Sequence, residues 1–165
     1  DESLIILGII DNFIDNANRN PIPGQSININ IRTSKEKEKI KIEVSDTGKG
    51  ISEDFLRNRL FERGATTKKS DEGKGGEGPW ITLQYLRMLK KIGKDAGIQV
   101  DSKEDGKDAL RLAFTGDKLY RKEVVGSDRK KTGTTFTMWL PLAGLSQPGA
   151  LLKNKLDSVS AQTDL

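Results

Sequence analysis

Cysteine and histidine are both absent from the 165 residues. Without cysteine there are no disulfides, thiolate nucleophiles or cysteine-based metal sites. Without histidine there is no imidazole base, no imidazole metal ligand, no Ser-His-Asp triad and no phosphohistidine within the chain. Aromatic residues make up only 5%. No apolar run approaches the roughly 20 residues that a membrane-spanning helix needs. A signal-peptide pattern is also missing: the chain opens Asp1-Glu2-Ser3, and the absence of an initiator Met reads as a piece of a longer polypeptide. A net charge of +4 is too weak a bias to indicate nucleic acid, although an anionic ligand such as a nucleotide would suit it. The composition, 34% hydrophobic and 32% charged, is that of a single soluble domain.

Leu4 to Ala17 is densely apolar and ends at Asn18-Arg19-Asn20-Pro21, which predicts a buried helix. Ile27, Ile29 and Ile31 alternate with polar residues, as do Ile40, Ile42 and Val44, so two half-buried strands are expected. The mixed-charge run Ser34 to Lys39 between them reads as a solvated hairpin tip. A short helix over Glu53–Leu60 is predicted with Ser52 as its N-cap. The polar, glycine-rich stretch from Arg63 to Gly78 cannot pack a core and reads as a mobile loop. Pro79 suits a helix first turn, and apolar Ile81, Leu83, Leu86, Leu89 and Ile92 carry that helix to about residue 92. Strands are expected at 98–101, 110–115, 119–125 and 134–140, the second and third of these forming a hairpin that turns at Gly116-Asp117. Elements in this order do not alternate as βαβ units. The expected fold class is therefore α+β, a two-layer sandwich with helices on one face of a mixed, largely antiparallel sheet. The domain is expected to span residues 1–144, with 145–165 a tail or linker.

Gly73-Lys74-Gly75-Gly76-Glu77-Gly78 matches G-x-G-x-x-G but follows a polar loop rather than a strand, so it is a poor dinucleotide fingerprint. No P-loop pattern is present. Glycines before a helix opening can cradle phosphate with backbone N–H groups, or can simply form a surface loop. Asn12 and Asn16 are spaced i, i+4 on one helical face, with Arg19 nearby. Amides in so apolar a helix are either satisfied core or cap groups, or they face a metal ion while Arg19 faces phosphate. Mg2+ suits the second case because it takes few protein ligands.

Four motifs in order give these pieces a resemblance. Asn12-Phe13-Ile14-Asp15-Asn16-Ala17 resembles the N box of histidine kinases, and Asp46-Thr47-Gly48-Lys49-Gly50 resembles the D-x-G-x-G box. Leu60-Phe61-Glu62-Arg63-Gly64-Ala65-Thr66-Thr67-Lys68 resembles the F box and the start of an ATP lid over about 62–78. Gly133-Thr134-Thr135-Phe136, running to Leu140-Pro141, resembles the closing strand. The set is similar to the GHKL superfamily of gyrase, heat-shock chaperones, histidine kinases and MutL, with its Bergerat-type ATP-binding fold. The resemblance implies ATP and Mg2+ as cofactors. Asp46 would accept from the adenine amine, selecting ATP over GTP. Gly48, Gly50 and Ile51 would lie by the base, with Thr135 adding a hydrogen bond. Asn16 would hold Mg2+ beside Asn12 and Arg19. Phe61, Thr66, Thr67, Gly76 and Gly78 would belong to the lid region, and Lys68, Lys69 and Lys74 would meet phosphates. The chain departs from the family at Trp80, which stands where the second glycine box has a third glycine; a ring there would obstruct the approach of phosphate.

Hydrolytic members carry a glutamate one turn before the metal-binding asparagine. With Asn16 as the ligand that position is Asn12, as in histidine kinases, and an amide is no base at neutral pH. With Asn12 as the ligand it is Gly8, and Asp11 or Asp15 would remain as bases in another register. The resemblance thus implies a sensor histidine kinase catalytic domain passing the γ-phosphoryl group to a histidine outside this chain. Its partners would be a histidine-bearing dimerisation domain upstream and a response regulator. The full protein would be a cytoplasmic homodimer, or the cytoplasmic part of a membrane-bound sensor, with no contact to nucleic acid or membrane by this domain. The extra length between Ser102 and Gly133 resembles the gyrase, MutL and chaperone branch, so a lid-driven ATPase is the alternative. A nucleotide-binding pseudoenzyme is a third, motivated by Trp80.

Overall fold

A computed structural model of the chain describes residues 2–65, 76–117 and 119–142. The first helix, α1 (Glu2–Asn18), buries Ile6, Ile9, Ile10, Phe13, Ile14 and Ala17, whose spacings of three and four form one continuous apolar stripe. Strands β1 (Ile29–Glu36) and β2 (Lys39–Asp46) form an antiparallel hairpin. The charged run 34–39 is therefore mostly strand rather than loop. Glu36 pairs with Lys39, and only Lys37 and Glu38 turn, Lys37 at a φ of 55°. Solvation on an edge strand costs these charges nothing, so the ladder continues through them.

Helix α2 (Glu53–Asn58) is capped by Ser52, whose Oγ accepts from the Phe55 N–H at 3.4 Å. Helix α3 (Gly78–Lys91) has Pro79 in its first turn and buries Leu83, Leu86 and Leu89. Ile81 and Ile92, apolar in the same segment, lie off that stripe and are exposed. Strands β3 (Gly97–Lys103), β4 (Leu110–Thr115), β5 (Arg121–Gly126) and β6 (Gly133–Pro141) follow. The strand expected to start at Leu119 starts at Arg121, because Leu119 adopts a φ of 55° to bury its side chain.

The six strands run in the order β1-β2-β6-β3-β4-β5, and every pairing is antiparallel; the described strands contain no parallel pair. One core joins the helices to the sheet through Ile42, Val44, Ile98, Val100, Leu112, Phe136, Met138 and Leu140. No helix among the described residues is long and apolar enough to cross a membrane.

Strict alternation then fixes what the inner face carries beyond its apolar residues. Ile42 and Val44 are followed in register by Asp46, and Leu140, Met138 and Phe136 are preceded by Thr134. A carboxylate and a hydroxyl therefore occupy core-facing positions where β2 ends and β6 begins.

Candidate functional site

Asp46 is 9% exposed. Its Oδ1 accepts from the backbone N–H of Gly48 at 2.8 Å and of Thr134 at 3.2 Å. Oδ2 has no protein partner among the described residues. Burial raises the carboxyl above the usual aspartate value, opposed by the two N–H donors and by the positive charge of Arg129. A desolvated carboxylate with one oxygen fixed and the other free is a ready acceptor for a ligand N–H.

The turn after β2 is pinned to the end of α1. Lys49 donates its backbone N–H to the Asn20 carbonyl at 2.9 Å, and Asn20 in turn donates its side-chain amide to the Asn16 carbonyl at 2.8 Å. Gly50 has a φ of 79°, and a Cβ there would stand 2.3 Å from the Lys103 carbonyl oxygen, so only glycine fits. Ile51 is held by its N–H donating to Ser102 Oγ at 2.7 Å.

The result is one cavity of about 260 Å3 into which both ends of the expected site open. Asn16, Arg19 and Asn20 come from the end of α1, and Asp46, Thr134 and Phe136 from the sheet. Lys49, Gly50 and Ile51 come from the turn, and Gly76 and Pro79 from the approach to α3. Apolar walls of Ile51, Phe55, Leu60 and Phe136 next to the free carboxylate oxygen of Asp46 suit a flat heterocycle bearing an amino group. Arg19 and Lys49, cationic and without an ion-pair partner among the described residues, suit its phosphates.

Other expected residues lie elsewhere. Thr135 points to the opposite face of the sheet, where its hydroxyl bonds Ser45 Oγ at 2.9 Å and receives Arg129; the alternation that buries Phe136 gives the cavity to Thr134 instead. Phe61 packs edge-on against Phe114 at 5.0 Å, outside the cavity, and Leu60 takes its place in the wall. Gly78 lies under Asn12: a Cβ on it would come within 2.9 Å of the Asn12 side chain, so this glycine serves helix-to-helix contact rather than phosphate approach. Asn12, pressed there, does not line the cavity. Gly48 contributes its N–H to Asp46 rather than a cavity surface. Trp80 stacks under the Arg63 guanidinium at 5.3 Å and lines a separate surface depression with Phe61, so its ring does not obstruct the site. Thr66, Thr67, Lys68, Lys69 and Lys74 lie outside the described residues, as does the 145–165 tail.

Sequence reasoning passed over Thr134, Phe136, Ser102 and Glu104. Thr134 and Phe136 were readable from the period of β6; Ser102 and Glu104 carry no local signal.

The sequence profile of the histidine kinase-, DNA gyrase B- and HSP90-like ATPases matches residues 2–144. The chain belongs to that family. No curated protein matches it. As a GHKL ATPase domain it binds ATP, and its fold class of helices layered on an antiparallel sheet is the one the motifs implied. The GHKL cavity has Asp46 on the sheet and Asn16 on α1, so residues of two of the four motifs meet in one space. Among the described residues no group of three acidic side chains could cage a metal by itself. Asn16 is the residue of the N-box motif that lines the cavity.

Proposed function

We propose that the chain is the catalytic domain of a sensor histidine kinase, which binds Mg-ATP and passes the γ-phosphoryl group to a histidine on another segment. The observation that carries this reading is the position one turn before Asn16. It is an amide, Asn12, and its side chain is pressed against Gly78 instead of opening into the cavity. An ATPase that activates water from this position needs a carboxylate there.

In this reading Asp46 accepts from the adenine amine through Oδ2, and Ile51 and Phe136 cover the base. Asn16 offers its amide oxygen to Mg2+, and Arg19 and Lys49 meet the phosphates. An ion held there would supply charge neutralisation at the phosphate oxygens. The chain's own work is to orient the nucleotide and leave the nucleophile to the partner. That partner is a histidine-bearing dimerisation domain of the same polypeptide, which makes the full protein a cytoplasmic homodimer, or the cytoplasmic part of a membrane sensor, that signals to a response regulator.

The test supplies γ-labelled Mg-ATP to the chain alone and to the full polypeptide containing it. The expected result is negligible phosphate release by the chain alone, and acid-labile, base-stable label on a histidine of the full polypeptide. Brisk phosphate release by the chain alone would overturn the kinase assignment in favour of the hydrolytic branch.

A further inference from the structure

Behind the nucleotide cavity, on the other face of the sheet, a second polar assembly surrounds Arg129, in the connection between β5 and β6. Its Nη2 donates to the main-chain carbonyl of Asp46 at 2.7 Å and more weakly to that of Thr132 at 3.4 Å. Its Nη1 donates to Thr135 Oγ1 and to Ser45 Oγ at 3.4 Å. The β2–β6 ladder ends at the pair Ser45 and Thr135, one residue short of Asp46. The guanidinium thus extends that ladder by a side chain where the backbone pairing stops, and satisfies a carbonyl the ladder leaves over.

We propose that Arg129 is the positioning residue for Asp46: from behind the sheet it holds the strand end that carries the carboxylate anchoring the nucleotide base. The inference rests on the proposed role of Asp46. Three further observations support it. Gly133 has a φ of 117°, and a Cβ there would lie 2.1 Å from the Asp46 carbonyl oxygen and 2.9 Å from Arg129 Nη2, so the backbone is shaped around this contact. Arg129 is itself held: its N–H donates to Ser127 Oγ at 3.3 Å, and that hydroxyl donates to Asp101 Oδ1 at 2.6 Å. The positive charge lowers the Asp46 carboxyl against the effect of burial, and Arg129 Nε is buried with no partner, a cost the guanidinium meets only because its Nη groups are so fully engaged.

Other charges also face Asp46. Arg19, Lys49 and Glu104 line its cavity, and Asp101 shares Arg129 from the far face. Substitution of Arg129 leaves all four in place, so a change in Asp46 titration on that substitution reports Arg129.

The experiment compares wild type with Arg129→Gln, Arg129→Lys and Lys131→Gln in two measurements. Carbon-detected NMR follows the Asp46 carboxyl in the unliganded protein, and calorimetry follows ADP affinity across pH. Arg129→Gln is expected to move the Asp46 midpoint upward, lower ADP affinity about tenfold at neutral pH, and shift the acid limb of the affinity profile in parallel. Arg129→Lys, keeping the charge and losing the fork, is expected to hold the midpoint near wild type with an intermediate affinity. Lys131→Gln, which removes a charge from the same connection, is expected to change neither. A midpoint unmoved in Arg129→Gln, or a pH-independent affinity loss shared equally by the lysine variant, would overturn the inference. Should Arg129→Gln not fold, the lysine variant decides: a midpoint shifted as far as its affinity loss would defeat the charge argument. If wild type binds no ADP, the nucleotide reading fails, and the NMR midpoint still decides whether Arg129 governs Asp46.

Discussion

Phe13 of α1 stacks on Phe136 of β6, ring centroids 4.2 Å apart and planes 11° from parallel. Phe136 also lines the cavity, and Phe13 sits one turn before Asn16. The same contact therefore seals the helix to the sheet and fixes how far the amide of Asn16 stands from the wall that carries Asp46. Phe13→Ala is expected to lower stability by about 3–5 kcal/mol, the usual loss for a buried ring. Nucleotide affinity should fall with it even well below the unfolding midpoint. Urea denaturation gives the first quantity and ADP titration the second. A full stability loss with untouched affinity would mean that the stack has no part in shaping the cavity.

Asp46 trades stability for binding. Burial raises its carboxyl above the ordinary 3.8 in the folded chain, so the native state holds this proton more tightly than the unfolded state does. Stability is then fully present below pH 3.8 and declines as pH rises through the raised native value. Asp46→Asn keeps an oxygen for the Gly48 and Thr134 N–H groups but removes the buried charge. It is expected to be more stable than wild type at pH 7 and equal to it near pH 3.5, while ADP affinity falls roughly 10–100-fold through loss of the charged acceptor. Urea midpoints at the two pH values, paired with calorimetry, check both signs.

How much of this was readable beforehand follows from period. The helix stripe of α1 and the alternation of β2 made the two elements legible without coordinates, and the resemblance of their end motifs singled out Asn16 and Asp46. Thr135 went wrong for the same reason in reverse: the motif names four consecutive residues, and only the pleat says which of Thr134 and Thr135 faces inward. Arg129 was invisible. It sits in a basic run, Arg129-Lys130-Lys131, that reads as a solvated loop, and the two partners that tie it to β2, Ser45 and Asp46, are more than 80 residues away. Long-range contacts from an aperiodic segment leave no local trace. The charged run of the β1–β2 hairpin misled in the other direction, since composition suggested a loop where an edge strand tolerates charge.

Asn16→Asp is expected to alter the metal dependence of nucleotide binding more than adenine recognition, because Asn16 lines the cavity from α1 and Asp46, the proposed base acceptor, lines it from the sheet. Affinity for ADP without metal should change only a few-fold, and the Mg2+ concentration for half-maximal enhancement should shift by about tenfold. Titrating ADP at fixed Mg2+ steps separates the two. The reverse pattern, with adenine affinity lost and metal dependence kept, would move the ion to Asn12.

Gly50→Ala places a methyl 2.3 Å from the Lys103 carbonyl in a backbone conformation of φ 79°. Neither backbone can yield without disturbing Ile51, whose N–H is fixed to Ser102. A loss of about 2 kcal/mol or more is expected, with ADP affinity reduced as Ile51 leaves the cavity wall. Gly64→Ala, which meets no atom within 4 Å at a similar φ of 72°, isolates the backbone strain alone and should cost less. Equal losses in thermal melts of the two variants would assign the whole effect to conformation and none to the contact.

Trp80 gives the clearest divergence between motif and structure. Read as a missing glycine, it obstructs phosphate. In the fold its ring lies under Arg63, whose Nε is also 3.4 Å from Glu77 Oε1, and neither ring nor guanidinium lines the nucleotide cavity. Trp80→Ala should therefore leave ADP affinity within about threefold of wild type, since an exposed cation–π contact is worth only about 0.5–1 kcal/mol. A large gain in affinity on removing the ring, measured by calorimetry with ADP and with ATP, would restore the steric reading and place phosphate against residue 80. An unchanged affinity leaves the substitution of that glycine as a surface feature of this chain, in keeping with the proposal that Arg19 and Lys49 meet the phosphates.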